Sequence, residues 1–129
     1  MKWIFLATWI VLMSACGPAI APAPVPTDQL LIGPIQIDSV EVLIAESFPV
    51  QVFAHVRGIV GDGCSEALPV QQTRAGNTIT IVINRQRPAQ AICTQIAKVF
   101  DQNIRLVGDF PPGEYVLKVN AVEKKFRVD

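Results

Sequence analysis

Any chemistry in this chain must come from few residues. There is one histidine, His55, and there are three cysteines, Cys16, Cys64 and Cys93, among 129 residues. A Ser-His-Asp triad would have to use His55, which lies between Ala54 and Val56 in an alternating run. The sequence has no Gly-x-Ser-x-Gly elbow to present a serine. A histidine on a sheet face is far more often solvated than catalytic. A cysteine nucleophile would require Cys64 or Cys93 free and beside His55. A metal centre needs more ligands than two cysteines and one histidine supply. Gly58-Ile59-Val60-Gly61-Asp62-Gly63 has the composition of a phosphate loop but lacks its spacing, its lysine and a following helix; it reads as a turn leading to Cys64. Asp62 and Glu66 are ordinary surface carboxylates, with nothing to mark a glycosidase pair. The expectation is a non-catalytic protein with no metal and no cofactor. Two surfaces could bind a partner instead: the basic stretch Arg85-Gln86-Arg87-Pro88, and the outward row Gln51, Phe53, His55 and Arg57, with Phe53 as its aromatic anchor.

The amino-terminal residues Met1–Cys16, MKWIFLATWIVLMSAC, combine a single basic residue (Lys2), an apolar stretch from Trp3 to Met13, the small pair Ser14-Ala15 and a cysteine. A bilayer-spanning helix needs about 20 apolar residues, so the stretch is too short to span and fits a secretory signal. The segment ending Leu12-Met13-Ser14-Ala15-Cys16 resembles the signal peptide and lipobox of bacterial lipoproteins. That resemblance implies export, cleavage before Cys16, and lipid attachment to the Cys16 thiol. It places the chain in the bacterial cell envelope, held by its lipid on the outer face of the plasma membrane or on the outer membrane. The competing reading is an ordinary secretory peptide cut after Ala19-Ile20-Ala21.

If Cys16 is acylated, Cys64 and Cys93 are the only thiols left in an exported domain, where a disulfide can form. Closing a loop of about 30 residues stabilises by about 3.6 kcal/mol in the chain-entropy treatment. Charge adds an exclusion. The chain has 11 basic and 11 acidic residues; without Lys2, 10 face 11, a net charge of −1. Nucleic-acid binders are basic, and an electrostatically held membrane protein would be too.

The elements that must position these residues follow from the pattern. Residues 16–34 hold Pro18, Pro22, Pro24, Pro26 and Pro34 among alanines and read as an extended tether, with Leu30, Leu31 and Ile32 the exception, apolar enough to begin docking on the domain. From Ile35 the apolar period is two. Ile35 and Ile37, then Val40, Val42 and Ile44, alternate with polar residues, and the phase shift at Asp38-Ser39 predicts a bulge. Val50, Val52, Ala54 and Val56 continue the alternation. Leu68–Thr73 and Thr78–Asn84 read as strands around the turn Arg74-Ala75-Gly76-Asn77. Pro88–Cys93 reads as a helical turn, followed by a strand from about Ala97 to Val107. A hairpin, Tyr115–Val119 and Lys124–Val128, closes the chain. About seven short strands with regular turns predict an all-β sandwich or barrel over residues 35–129.

The run Asp109-Phe110-Pro111-Pro112-Gly113-Glu114-Tyr115-Val116-Leu117-Lys118-Val119 resembles the entry into a late strand of immunoglobulin-like bacterial domains. The resemblance implies an immunoglobulin-like antiparallel β-sandwich in which Tyr115 bonds back to the turn. The function expected is that of a membrane-anchored lipoprotein whose domain binds an envelope protein or glycan, with Arg85, Arg87 and Phe53 as candidate contacts. The alternative is an inhibitor or hydrolase-associated domain acting through a disulfide-tethered 85–93 loop.

Overall fold

The computed structural model describes residue 17 and residues 29–129. The expected signal peptide 1–15, Cys16 and most of the tether lie outside the described residues.

Ten strands and no helix make up the described residues: β1 (Leu30–Pro34), β2 (Gln36–Ala45), β3 (Gln51–Gly61), β4 (Glu66–Ala67), β5 (Gln71–Ala75), β6 (Thr78–Val82), β7 (Asn84–Pro88), β8 (Lys98–Arg105), β9 (Gly113–Val119) and β10 (Val122–Val128). They form three sheets, ordered β2-β3-β8, β10-β9-β6-β5 and β1-β7-β4. The ladders are antiparallel except β6–β9, which is parallel.

Alternation decides which residues go inside. Val52, Ala54, Val56 and Val60 of β3 point into one core with Ile79 and Ile81 of β6 and Leu117 and Val119 of β9. The expected bulge is present: the β2–β3 register shifts between Ile37 and Ser39, so both apolar sets of β2 can face inward.

Asn120 ties the sheets together. It turns the β9–β10 hairpin at φ 49°, a left-handed conformation that asparagine tolerates better than most residues. Its side-chain Oδ1 accepts from the Ile83 N–H at 2.9 Å, and its Nδ2 donates to the Ile83 and Ile35 carbonyls at 2.9 and 3.1 Å. Ile83 and Ile35 are the single residues at which the chain passes from β6 to β7 and from β1 to β2. Each move leaves one sheet for another. The expected continuous strand Thr78–Asn84 is therefore divided at Ile83, where the Asn120 amide replaces a strand partner.

Tyr115 is the anchor the turn resemblance implies. It is buried, its hydroxyl donates to the Pro111 carbonyl at 2.6 Å, and its ring stacks on Phe126 at 5.3 Å. The Arg74 guanidinium lies 4.6 Å from the Phe110 ring centre and donates to the Val107 carbonyl at 3.1 Å. Gln72 also reaches this segment: its amide donates to the Arg105 carbonyl and accepts from the Val107 N–H.

Two expectations need correction. Pro88–Cys93 is not a helical turn. Arg85–Pro88 are held as a strand by β1 on one side, with Arg85 and Gln86 also paired to β4 on the other, and the Ala89 N–H continues the β1 ladder to the Gln29 carbonyl at 2.8 Å. The domain also starts earlier than residue 35, because Leu30–Pro34 pair with β7 rather than extending the tether.

Candidate functional site

Arg85 and Arg87 do not lie on a solvated loop. They occupy β7, the middle strand of its sheet, and both are half-buried. Arg87 Nε donates to Asp62 Oδ2 at 2.8 Å, and its Nη2 lies 3.6 Å from Cys93 Sγ. Arg85 Nη1 donates to Ser65 Oγ at 3.3 Å, and Ser65 Oγ donates in turn to Asp62 Oδ1 at 3.0 Å. Ser65 is fully buried, so its hydroxyl needs these partners. Gly61 makes the arrangement possible: a Cβ there would collide with the Arg85 guanidinium and the Ser65 hydroxyl. Burial would push the Asp62 carboxyl up, but the Ser65 hydroxyl, the Arg87 guanidinium and the Cys64 N–H together hold it below its ordinary value.

The disulfide closes this cluster. Cys64 and Cys93 are joined, with Cα atoms 5.5 Å apart. The Gly63 N–H donates to the Thr94 carbonyl at 2.9 Å beside it. The bond pins the irregular stretch that follows β7 onto the turn that follows β3. The arginines are thus internal ties that hold β7, the 61–65 turn and the disulfide as one unit. An inhibitor loop at 85–93 would need to protrude, whereas its first four residues form the centre of a sheet.

The row on β3 is placed as expected. Gln51, Phe53, His55 and Arg57 face away from the core, opposite Val52, Ala54 and Val56. Phe53 is flanked by Leu43 on β2 and Arg105 on β8. Next along the face, His55 Nε2 is 2.6 Å from Asp101 Oδ1, and its Nδ1 is 4.0 Å from Glu41 Oε2. Arg57 Nε is 3.4 Å from the other Asp101 oxygen. Asp101 of β8 thus joins His55 and Arg57 of β3, and Glu41 approaches from β2. His55 is oriented by a carboxylate, as a catalytic histidine would be. Among the described residues, however, no hydroxyl or thiol is hydrogen-bonded to it, and no cluster of three or more His, Cys, Asp or Glu side chains is arranged to hold a metal. What the face offers is an aromatic ring beside an ordered group of polar and charged side chains.

Asp101 and Asn120 are the residues that the sequence reading missed. Asp101 lies 46 positions from His55; only the pairing of β3 with β8 puts them on one face. For Asn120 the signal was its place in a hairpin turn, which indicates its backbone conformation but not its three side-chain bonds.

Comparison with known proteins agrees with this architecture. Residues 54–128 match the family described as the ORF11 beta-sandwich domain. The chain is 35% identical over 94 residues, 73% of its own length and all of the relative's, to the "Uncharacterized 10.2 kDa protein in HgiCIIM 5'region" of Herpetosiphon aurantiacus. It is 35% identical over 82 residues, 64% of this chain and 100% of each relative, to the corresponding proteins of the HgiBIM and HgiEIM 5' regions of the same organism. No solved structure matches. By the match across most of its β-sandwich, and by these relatives, the chain belongs to the ORF11 beta-sandwich domain family.

Proposed function

We propose that this protein is a lipid-anchored lipoprotein of the bacterial cell envelope, and that its β-sandwich is a non-catalytic binding domain. It presents the outer face of the β2-β3-β8 sheet to an envelope protein. The observation that carries this reading is the arrangement around Phe53. An aromatic side chain stands beside an exposed leucine, Leu43, and a preset group of His55, Asp101, Arg57 and Glu41. Aromatic residues and arginine are enriched in protein interfaces, and side chains ordered before contact lower the entropy lost on binding. The anchoring half of the proposal rests on the lipobox resemblance at Ser14-Ala15-Cys16.

A photo-crosslinking residue placed at Phe53 in the full chain, expressed in its own envelope, should capture a discrete partner. The same residue at Lys124, an exposed position on the other sheet, should not. Equal capture at both positions, or none at Phe53, refutes the face. Mass spectrometry of the membrane fraction should find acylated Cys16 as the first residue; a mature terminus at Pro22 refutes the anchor.

A further inference from the structure

Five exposed aliphatic side chains lie at the end of the domain where the chain enters; others, Leu43 and Ile44 among them, lie on β2. Leu30, Leu31 and Ile32 of β1 are 48, 50 and 63% exposed, and Ile92 and Ile96 of the disulfide-pinned stretch are 103 and 72% exposed. These two groups are neighbours. Leu30 pairs with Pro88, the next residue Ala89 donates to the Gln29 carbonyl, and the stretch from there to β8 crosses the same end of the sandwich. The disulfide and the Gly63–Thr94 hydrogen bond hold this stretch down, so Ile92 is presented on a fixed support. The polar groups behind it are already matched, Arg87 by Asp62 and Arg85 by Ser65.

We infer that this end of the domain, Leu30–Ile32 with Ile92 and Ile96, rests on the lipid surface to which Cys16 is attached. The inference rests on the anchoring proposed above and adds the orientation of the domain. The argument is where the chain enters: thirteen residues, 17–29, separate Cys16 from Leu30. As a polyproline-like chain they would span about 40 Å at ~3.1 Å per residue. The apolar end is therefore the end tied to the acylated cysteine, and the tether is short enough for it to meet the bilayer. Apolar side chains set into the headgroup boundary bind in proportion to the area they bury. β1 is an edge strand, and one row of its backbone groups has no strand partner; the hydrated headgroup layer leaves those groups bonded to water. With the bilayer at this end, the β2-β3-β8 face stands upright and open to a partner.

The test uses the full acylated chain in vesicles of phosphatidylethanolamine and phosphatidylglycerol, with and without lipid brominated in its acyl chains. Cleavage before Cys16 removes both tryptophans, Trp3 and Trp9, so the acylated chain carries no competing tryptophan. Ile92→Trp then reports the entry end, with Ile96→Trp as a second reporter. Phe48→Trp, on the fully exposed tip of the β2–β3 turn at the far end of β3, reports the opposite end. The expected result is a blue shift and loss of emission to brominated lipid at positions 92 and 96 and neither at 48. Protein that floats with vesicles but shows no quenching at 92 and 96 overturns the orientation and leaves the anchor standing. Protein that does not float removes the anchor and this inference together. A detergent-stable dimer that Leu31→Asp with Ile92→Asp dissolves would assign the surface to a second copy and overturn the lipid contact.

Discussion

Replacing Asn120 by glycine should be among the most damaging single changes outside the apolar core. Glycine accepts the φ of 49° without strain, so the substitution removes the side chain and leaves the turn possible. Three hydrogen bonds disappear. The Ile83 carbonyl keeps the Ile35 N–H at 3.1 Å, but the Ile83 N–H loses its acceptor within a fully buried residue. An orphaned buried donor costs about 1–3 kcal/mol, and an ordinary hydrogen bond contributes about 0.5–1.5 kcal/mol. Counting the orphan in full and the two carbonyl bonds at the low end gives about 2–4 kcal/mol. For a domain near 100 residues, that lowers the melting temperature by about 10–25 °C. Asn120→Asp keeps the acceptor but turns a carboxylate oxygen toward the Ile35 and Ile83 carbonyls, and should be at least as destabilising. Far-UV circular dichroism with heat and with urea measures both. An Asn120→Gly variant within about 0.5 kcal/mol of wild type, the range of an inert surface change, would refute the role assigned to this amide.

Three further outcomes can be checked on the same domain. Tyr115→Phe removes the hydroxyl that donates to Pro111 and should cost about 1 kcal/mol, while Tyr115→Ala opens the aromatic cluster and should cost about 3–5 kcal/mol, both read from urea midpoints. Thiol labelling of denatured, unreduced protein should find neither Cys64 nor Cys93, and replacing both by serine should cost up to about 3.6 kcal/mol by the loop-closure argument. The Asp62 carboxyl is held below its ordinary value of 3.8, so the unfolded chain binds its proton more readily than the folded one. The stability this supplies is complete above that value and is lost as pH falls through the lower folded value; Asp62→Asn should flatten that part of an acid-unfolding profile, and Arg87→Ala should lower the melting temperature at neutral pH by leaving Asp62 without its cation.

What could be read in the sequence was what local pattern encodes. The phase slip at Asp38-Ser39 predicted the β2 bulge because a period of two admits no other way to keep Ile37 and Val40 both inward. Cys64 and Cys93 were paired by elimination, and Tyr115 by its position after Pro111-Pro112-Gly113. Strand β7 was hidden because Asn84–Pro88 is polar throughout: it is a middle strand of a small sheet whose faces are only half-covered, so no alternation marks it. The same burial turned Arg85 and Arg87 from candidate contacts into internal ties. Phe53 kept its outward place because its neighbours Val52 and Ala54 are fixed in the core. The ion cluster beside it needed a strand from elsewhere in the chain, and single-sequence spacing carries no trace of that partner.

The Asn120 amide also sets an order on assembly. It reaches the Ile35 carbonyl across 85 positions, so the first strands to emerge cannot be locked until nearly the last strand has been made. Contacts this distant in sequence are slow to close, because the loop entropy is lost before the contact stabilises anything. Until then the inner face of β2 lacks the β10 strand that packs against it. The chain's vulnerable interval is the time between arrival of β2 and closure of the β9–β10 hairpin, when apolar side chains destined for the core are open to non-native contacts.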